Sequence, residues 1–173
     1  MRLFVALELP ENVISELGRL RDTLKGAKMN KVRGFHLTLK FLGDVDETTL
    51  GTIIEQLTTV SFEQFKAELS IVGVFPSQAY AKVVWVGVAP AEGIQRLQAD
   101  IDATLSGLFP KEKDFVPHIT LARVKFVENK VMFQQLLEKI KPDKLQFNIS
   151  KFALIKSTLT PAGPEHETIR KFS

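Results

Sequence analysis

The sequence predicts a domain that mixes helices and strands and is built as two similar halves. Stretches with period-two alternation interleave with stretches of helical apolar spacing along the whole chain. The tetrapeptide His36-Leu37-Thr38-Leu39 has a counterpart, His118-Ile119-Thr120-Leu121, 82 residues further on in a chain of 173. Each tetrapeptide is followed by a helical stretch and then by an alternating strand, in the same order. Each half therefore reads in outline as strand–helix–strand–helix–strand, which points to duplication.

The elements follow in order. Leu3–Leu9 is a short β-like run, and Pro10 and Glu11 suit the first turn of a helix carrying Val13, Leu17, Leu20 and Leu24. Gly26 ends that helix, and Lys25–Arg33 reads as a basic loop. Phe35–Leu42 alternates as a strand. Asp46 to Thr49 opens a helix with Leu50, Ile53, Ile54 and Leu57 on its apolar face. A strand is expected around Phe65–Ile71, and Lys82–Val88 reads as a buried strand with Trp85 in the core. Pro90–Leu108 is a third helix, His118–Val124 a strand and Asn129–Ile140 a fourth helix. Leu145–Leu159 holds one long or two short strands, and Glu167–Phe172 the last.

Composition narrows the functional classes. At 173 residues, with 45% hydrophobic and 25% charged residues, the chain is expected to be one soluble globular domain over residues 1–173. The absence of cysteine removes disulfides, thiol nucleophiles and cysteine-ligated metal centres. No apolar run approaches the ~20 residues of a membrane helix, and the opening MRLFVALELPENV lacks the apolar run and cleavage site of a signal peptide. The expected location is the cytoplasm, the expected state a monomer. A net charge of +3 permits an anionic ligand without requiring one.

Two of only three histidines stand in the same His-x-Thr-x frame. On a strand, residues i and i+2 share a face. His36 with Thr38, and His118 with Thr120, would therefore line a cleft while Leu37, Leu39, Ile119 and Leu121 anchor the strands in a core. If a two-fold relates the halves, both pairs face one groove. Metal binding competes as a reading, but zinc wants three or four protein ligands and no HExxH or carboxylate cluster accompanies the pair. A nucleophile is also lacking, since there is neither a cysteine nor a GxSxG elbow. Acid–base catalysis fits better: one neutral imidazole takes a proton from water, and one protonated imidazole gives a proton to a leaving oxygen. Threonine hydroxyls can donate to anionic oxygens. That set suits metal-free, cofactor-free hydrolysis of a phosphodiester.

The paired HxTx tetrapeptides, the MRLFVALELP opening, and the HLTLKFLGDV and PHITLARVK segments resemble the 2H phosphoesterase superfamily, and within it the LigT-like RNA 2′,3′-cyclic phosphodiesterases, also called 2′-5′ RNA ligases. The resemblance covers essentially the whole chain. It implies a bilobal α+β fold, with two pseudo-two-fold-related antiparallel sheets packed by helices around a central groove. The implied partner is RNA with a 2′,3′-cyclic phosphate end, or a cyclic nucleotide, opened to a 2′-phosphate without metal. Carried onto this chain, His36 becomes the proton donor to the leaving 3′ oxygen and His118 the base that activates water. Thr38 and Thr120 hold the phosphate oxygens. Joining of RNA ends through a 2′-5′ linkage at the same groove is the alternative activity; a binding module without turnover is the alternative of another class.

Further candidates surround these four. The resemblance puts an arginine, here Arg123, on the phosphate or the nucleotide. Strict alternation turns that residue away from His118, so it needs a bulge to be re-aimed; otherwise it is a solvated charge. Lys40 shares the face of His36 under strict alternation and either favours an anionic ligand or rims the groove. Phe41 and Phe115 are core residues or base-stacking platforms. The basic residues between Lys25 and Arg33 are solvated or contact RNA. His166, outside any motif, reads as a surface or strand-start residue.

Overall fold

The computed structural model describes residues 1–173. Its elements run β1 (Arg2–Leu7), α1 (Glu11–Thr23), β2 (Ala27–Lys31), β3 (Leu37–Asp44), α2 (Glu47–Thr58), β4 (Phe65–Ser77), β5 (Tyr80–Ala89), α3 (Glu92–Thr104), β6 (His118–Val127), α4 (Lys130–Lys139), β7 (Gln146–Ile149), β8 (Phe152–Thr160) and β9 (Gly163–Phe172). No helix is long and apolar enough to cross a membrane.

The strands form an antiparallel sheet in the order β7-β4-β5-β6-β3-β1-β8-β9, with β2 paired to β6. The order is symmetric about the contact between β3 and β6. One half-sheet runs β3-β1-β8-β9 and the other β6-β5-β4-β7. Their junction is a single registered pair, Leu37 with Ile119, which are equivalent positions of the two tetrapeptides. The halves also exchange strands. β4 belongs to the first half of the sequence yet pairs with β5, while β8 belongs to the second half and pairs with β1. The bilobal α+β expectation is met, with the lobes joined rather than separate.

Helices cover one face. Val13, Leu17 and Leu20 of α1, Ile53 and Leu57 of α2, Ile94, Leu97 and Ile101 of α3, and Phe133 and Leu137 of α4 are buried against Leu3, Val5, Leu7, Leu37, Leu39, Val84, Val86, Ile119 and Leu121 of the strands. Burying each such side chain contributes about 1.5–3 kcal/mol, so the helix-side face carries most of the stability. Two helices start on side-chain caps: Asp46 accepts from the Thr49 amide at 2.7 Å and Asn129 from that of Met132 at 3.0 Å. The other sheet face has only a small cluster of Phe4, Ala6, Ala153 and Ile155, which leaves it open as a groove.

Three elements differ from the sequence reading. The stretch expected as a basic loop contains β2, because β3 leaves β6 after one pair and the vacated edge of β6 pairs with Ala27–Lys31. Ala27 and Met29 of β2 turn toward the core, while Lys28 and Asn30 face water. β9 starts earlier, at Gly163, since the β8–β9 register runs out to Thr160 opposite Gly163, whose φ of +117° suits a residue without Cβ. Trp85, expected in the core, lies on the groove face, as described next.

Candidate active site

Both tetrapeptides carry the same irregularity. Val5 pairs with Lys40 and Ala6 with Thr38, which leaves Leu39 without a partner on β1. Val84 pairs with Ala122 and Trp85 with Thr120, which leaves Leu121 without a partner on β5. Each motif thus ends in a bulge at its fourth residue, and a bulge resets the in–out alternation of the residues that follow. Leu39 and Lys40 are consecutively buried, as are Leu121 and Ala122. Phe41 and Arg123, again 82 residues apart, come out exposed.

That reset settles the facing of two candidates. Arg123 obtains the bulge it needed and turns to the side of His118 and Thr120; its charge is felt at His36, across the junction. Lys40 does the opposite and is a correction: it does not share the face of His36. It pairs with core-facing Val5, is 1% exposed, and its ammonium donates to the Asp102 carboxylate of α3 and, at 2.7 Å, to the Pro110 carbonyl. Asp102 also accepts from the Glu112 amide at 2.9 Å. Lys40, expected to favour an anionic ligand or to rim the groove, lines the cavity beside Thr38 while its ammonium ties down the 110–117 loop.

The junction brings the motifs together. Antiparallel continuation from Leu37–Ile119 sets Thr38 across from His118 and His36 across from Thr120. Thr38 and His118 line a cavity of about 310 Å³, together with Lys40, Phe41, Phe75 and Phe115, whereas His36, Thr120 and Arg123 are not among its lining residues. Phe41 stands 65% exposed at its rim, whereas Phe115 is half-buried against the core. The basic candidates between Lys25 and Arg33 belong to β2 and its flanks, outside this cavity.

The His118 ring is held in one tautomer. Its Nδ1 lies 2.7 Å from the Val116 carbonyl, which can only accept, so Nδ1 carries the proton. In the neutral ring, Nε2 then holds the free lone pair. The ring stands perpendicular to Phe75 at 5.0 Å and 6.2 Å from Trp85, and those two aromatics stack at 4.8 Å. Trp85 has room because Gly73 faces it: a Cβ there would lie 2.3 Å from the indole. The glycine in a strand was the sequence signal for this close approach.

His36 sits in a different environment. Its ring packs on Phe4 at 4.7 Å and meets His166 at 4.9 Å. Burial, then the like charges of His166 and Arg123, push its pKa down to about 4. His166 is exposed, as expected, but β9 brings it beside the first motif, and no spacing in the sequence signalled that contact. No group of three or more histidine or acidic side chains converges as metal ligands would.

The 2′-5′ RNA ligase superfamily profile matches residues 9–160. An RNA 2′,3′-cyclic phosphodiesterase of Methanocaldococcus jannaschii is 39% identical over 99% of this chain and 100% of its own length. One of Methanothermobacter thermautotrophicus is 34% identical over 99% of this chain and 98% of its own. Among solved structures, TT0787 of Thermus thermophilus superposes with a TM-score of 0.83 at 30% identity, covering 100% of this chain and 97% of that one. E. coli LigT complexed with 3′-AMP gives 0.81 at 22% identity, over 98% and 95% of the two chains, a likeness of fold. The chain belongs to the 2′-5′ RNA ligase superfamily.

Proposed function

We propose that the protein is an RNA 2′,3′-cyclic phosphodiesterase that opens the cyclic ester to a 2′-phosphate by metal-independent acid–base catalysis with two histidines, residues 1–173 acting as one unit. The observation that supports this reading is the Leu37–Ile119 pair, which joins the two motif strands, with Thr38 of one motif and His118 of the other lining one cavity. The names of the relatives support the substrate class.

In this reading the neutral His118, with Nδ1 donating to Val116, takes a proton from water at Nε2. The water oxygen bonds to phosphorus, the bond from phosphorus to the 3′ oxygen breaks, and His36 gives that oxygen its proton. Thr38 and Thr120 donate to the non-bridging oxygens, and Arg123 neutralises charge that builds on them. Such positioned proton transfers contribute typically ~10²–10⁴-fold each. His36 holds its proton weakly in the free protein. The bound phosphodiester, an opposite charge beside the ring, restores it. A ribose 5′ hydroxyl in place of water gives a 2′-5′ linkage at the same phosphorus.

The test is incubation with a short RNA bearing a 2′,3′-cyclic phosphate in excess EDTA, with products resolved by phosphate position. A 2′-phosphate is the expected product. Unchanged RNA, a 3′-phosphate, or activity that returns only with added metal contradicts the reading.

A further inference from the structure

The chain has three histidines, and the two that meet ring to ring are not the two in the motifs. His166 of β9 stands nearly perpendicular to His36, with the ring centroids 4.9 Å apart, and both rings rest on Phe4. His36 is partly enclosed, whereas His166 is exposed. The inner imidazole thus has the outer, exposed one beside it.

We propose that His166 and His36 form a proton-sharing imidazole pair, in which the exposed ring supplies the enclosed one with the proton consumed in each turnover. This rests on the reading of His36 as the acid. Each hydrolysis leaves His118 with a proton gained from water and His36 without the one given to the 3′ oxygen. Reset requires His118 to release its proton to solvent and His36 to take one up; His166 passes one inward and regains it from water. His166 acts through His36 and is in that sense a positioning residue.

The surroundings leave the pair to itself. Phe4 on β1 is apolar, and the Gly34 backbone approaches His166 from the chain before β3. Ser157 is its β8 neighbour, and the flanking Glu167 is paired with Lys156. Arg123 is the remaining charge that reaches His36, and no ion pair in the chain includes a histidine. Partial desolvation beside Phe4 and His36 lowers the proton affinity of His166, and fuller enclosure lowers that of His36.

The test is an NMR titration of the imidazoles in the full chain, in His166→Phe and in His36→Phe, with and without adenosine 2′-monophosphate, beside kcat/KM from pH 4 to 8. Phenylalanine keeps a ring on Phe4 without a titrating nitrogen. The His36 midpoint is expected to rise by about 0.6 pH unit or more in His166→Phe, the repulsion of two unit charges at this spacing in a water-like dielectric. The His166 midpoint rises likewise in His36→Phe, and the acidic limb of kcat/KM follows His36. In the unsubstituted protein both rings show two overlapping steps, and the nucleotide raises both. Independent single-step curves there overturn the pair, whatever the variants do, as do unmoved midpoints in both variants. Full hydrolysis by His36→Phe overturns instead the acid role on which the pair rests.

Discussion

The Lys40 ammonium rests on the Asp102 carboxylate inside the protein, with both side chains buried. The contact ties β3, the strand after His36, to α3 and, through Pro110 and Glu112, to the loop that ends at His118. The side chain that links the two histidine motifs is thus buried among the helix-side contacts, and it also lines the cavity that holds Thr38 and His118.

Removing one partner leaves an uncompensated buried charge. Lys40→Met and Asp102→Asn are each expected to lower the unfolding free energy by about 3–5 kcal/mol, read from urea midpoints. A lysine that served the ligand would instead change KM at full stability, and that result contradicts the buried-tether assignment.

Arg123 stands exposed on the groove side because of the bulge at Leu121. A charge-assisted hydrogen bond is worth about 1.5–3 kcal/mol. Arg123→Gln is therefore expected to cost ~10–100-fold in kcat/KM with little change in urea midpoint, and Arg123→Lys to recover part of it. Unchanged kinetics would make Arg123 a solvated charge.

His36 links stability to acid. Its pKa is about 4 in the folded chain against 6.5 ordinarily, so the unfolded chain binds the proton more readily. The contribution of the neutral ring is full above pH 6.5 and is lost as pH falls from there to about 4, at most about 3 kcal/mol. Urea midpoints between pH 7 and 4 should fall less steeply in His36→Gln than in the unsubstituted protein. Parallel pH dependences contradict the depressed value.

The sequence exposed the motifs because leucine and isoleucine alternate with the polar pair, and the 82-residue offset exposed the two-fold. The bulges were hidden for the same reason: Leu39 and Leu121 continue the apolar alternation, so nothing marked the reset that buries Lys40 and turns Arg123 outward. β2 depends on β3 leaving β6, and the exchange of β4 and β8 on pairing between halves; neither is a local property. His166 meets His36 across 130 residues of chain, a proximity that only the β1-β8-β9 order creates. Trp85 was misplaced because an apolar run reads alike for a strand buried on both faces and for one whose second face is an aromatic groove wall.

The most direct test of the account is to compare His36→Ala and His118→Ala with the unsubstituted protein for hydrolysis of the cyclic-phosphate RNA and for affinity toward adenosine 2′-monophosphate. The account predicts that each substitution lowers kcat by ~100-fold or more while affinity stays within a few-fold, since each imidazole moves a proton. Collapse of affinity with kcat preserved, or full hydrolysis by either variant, would contradict it.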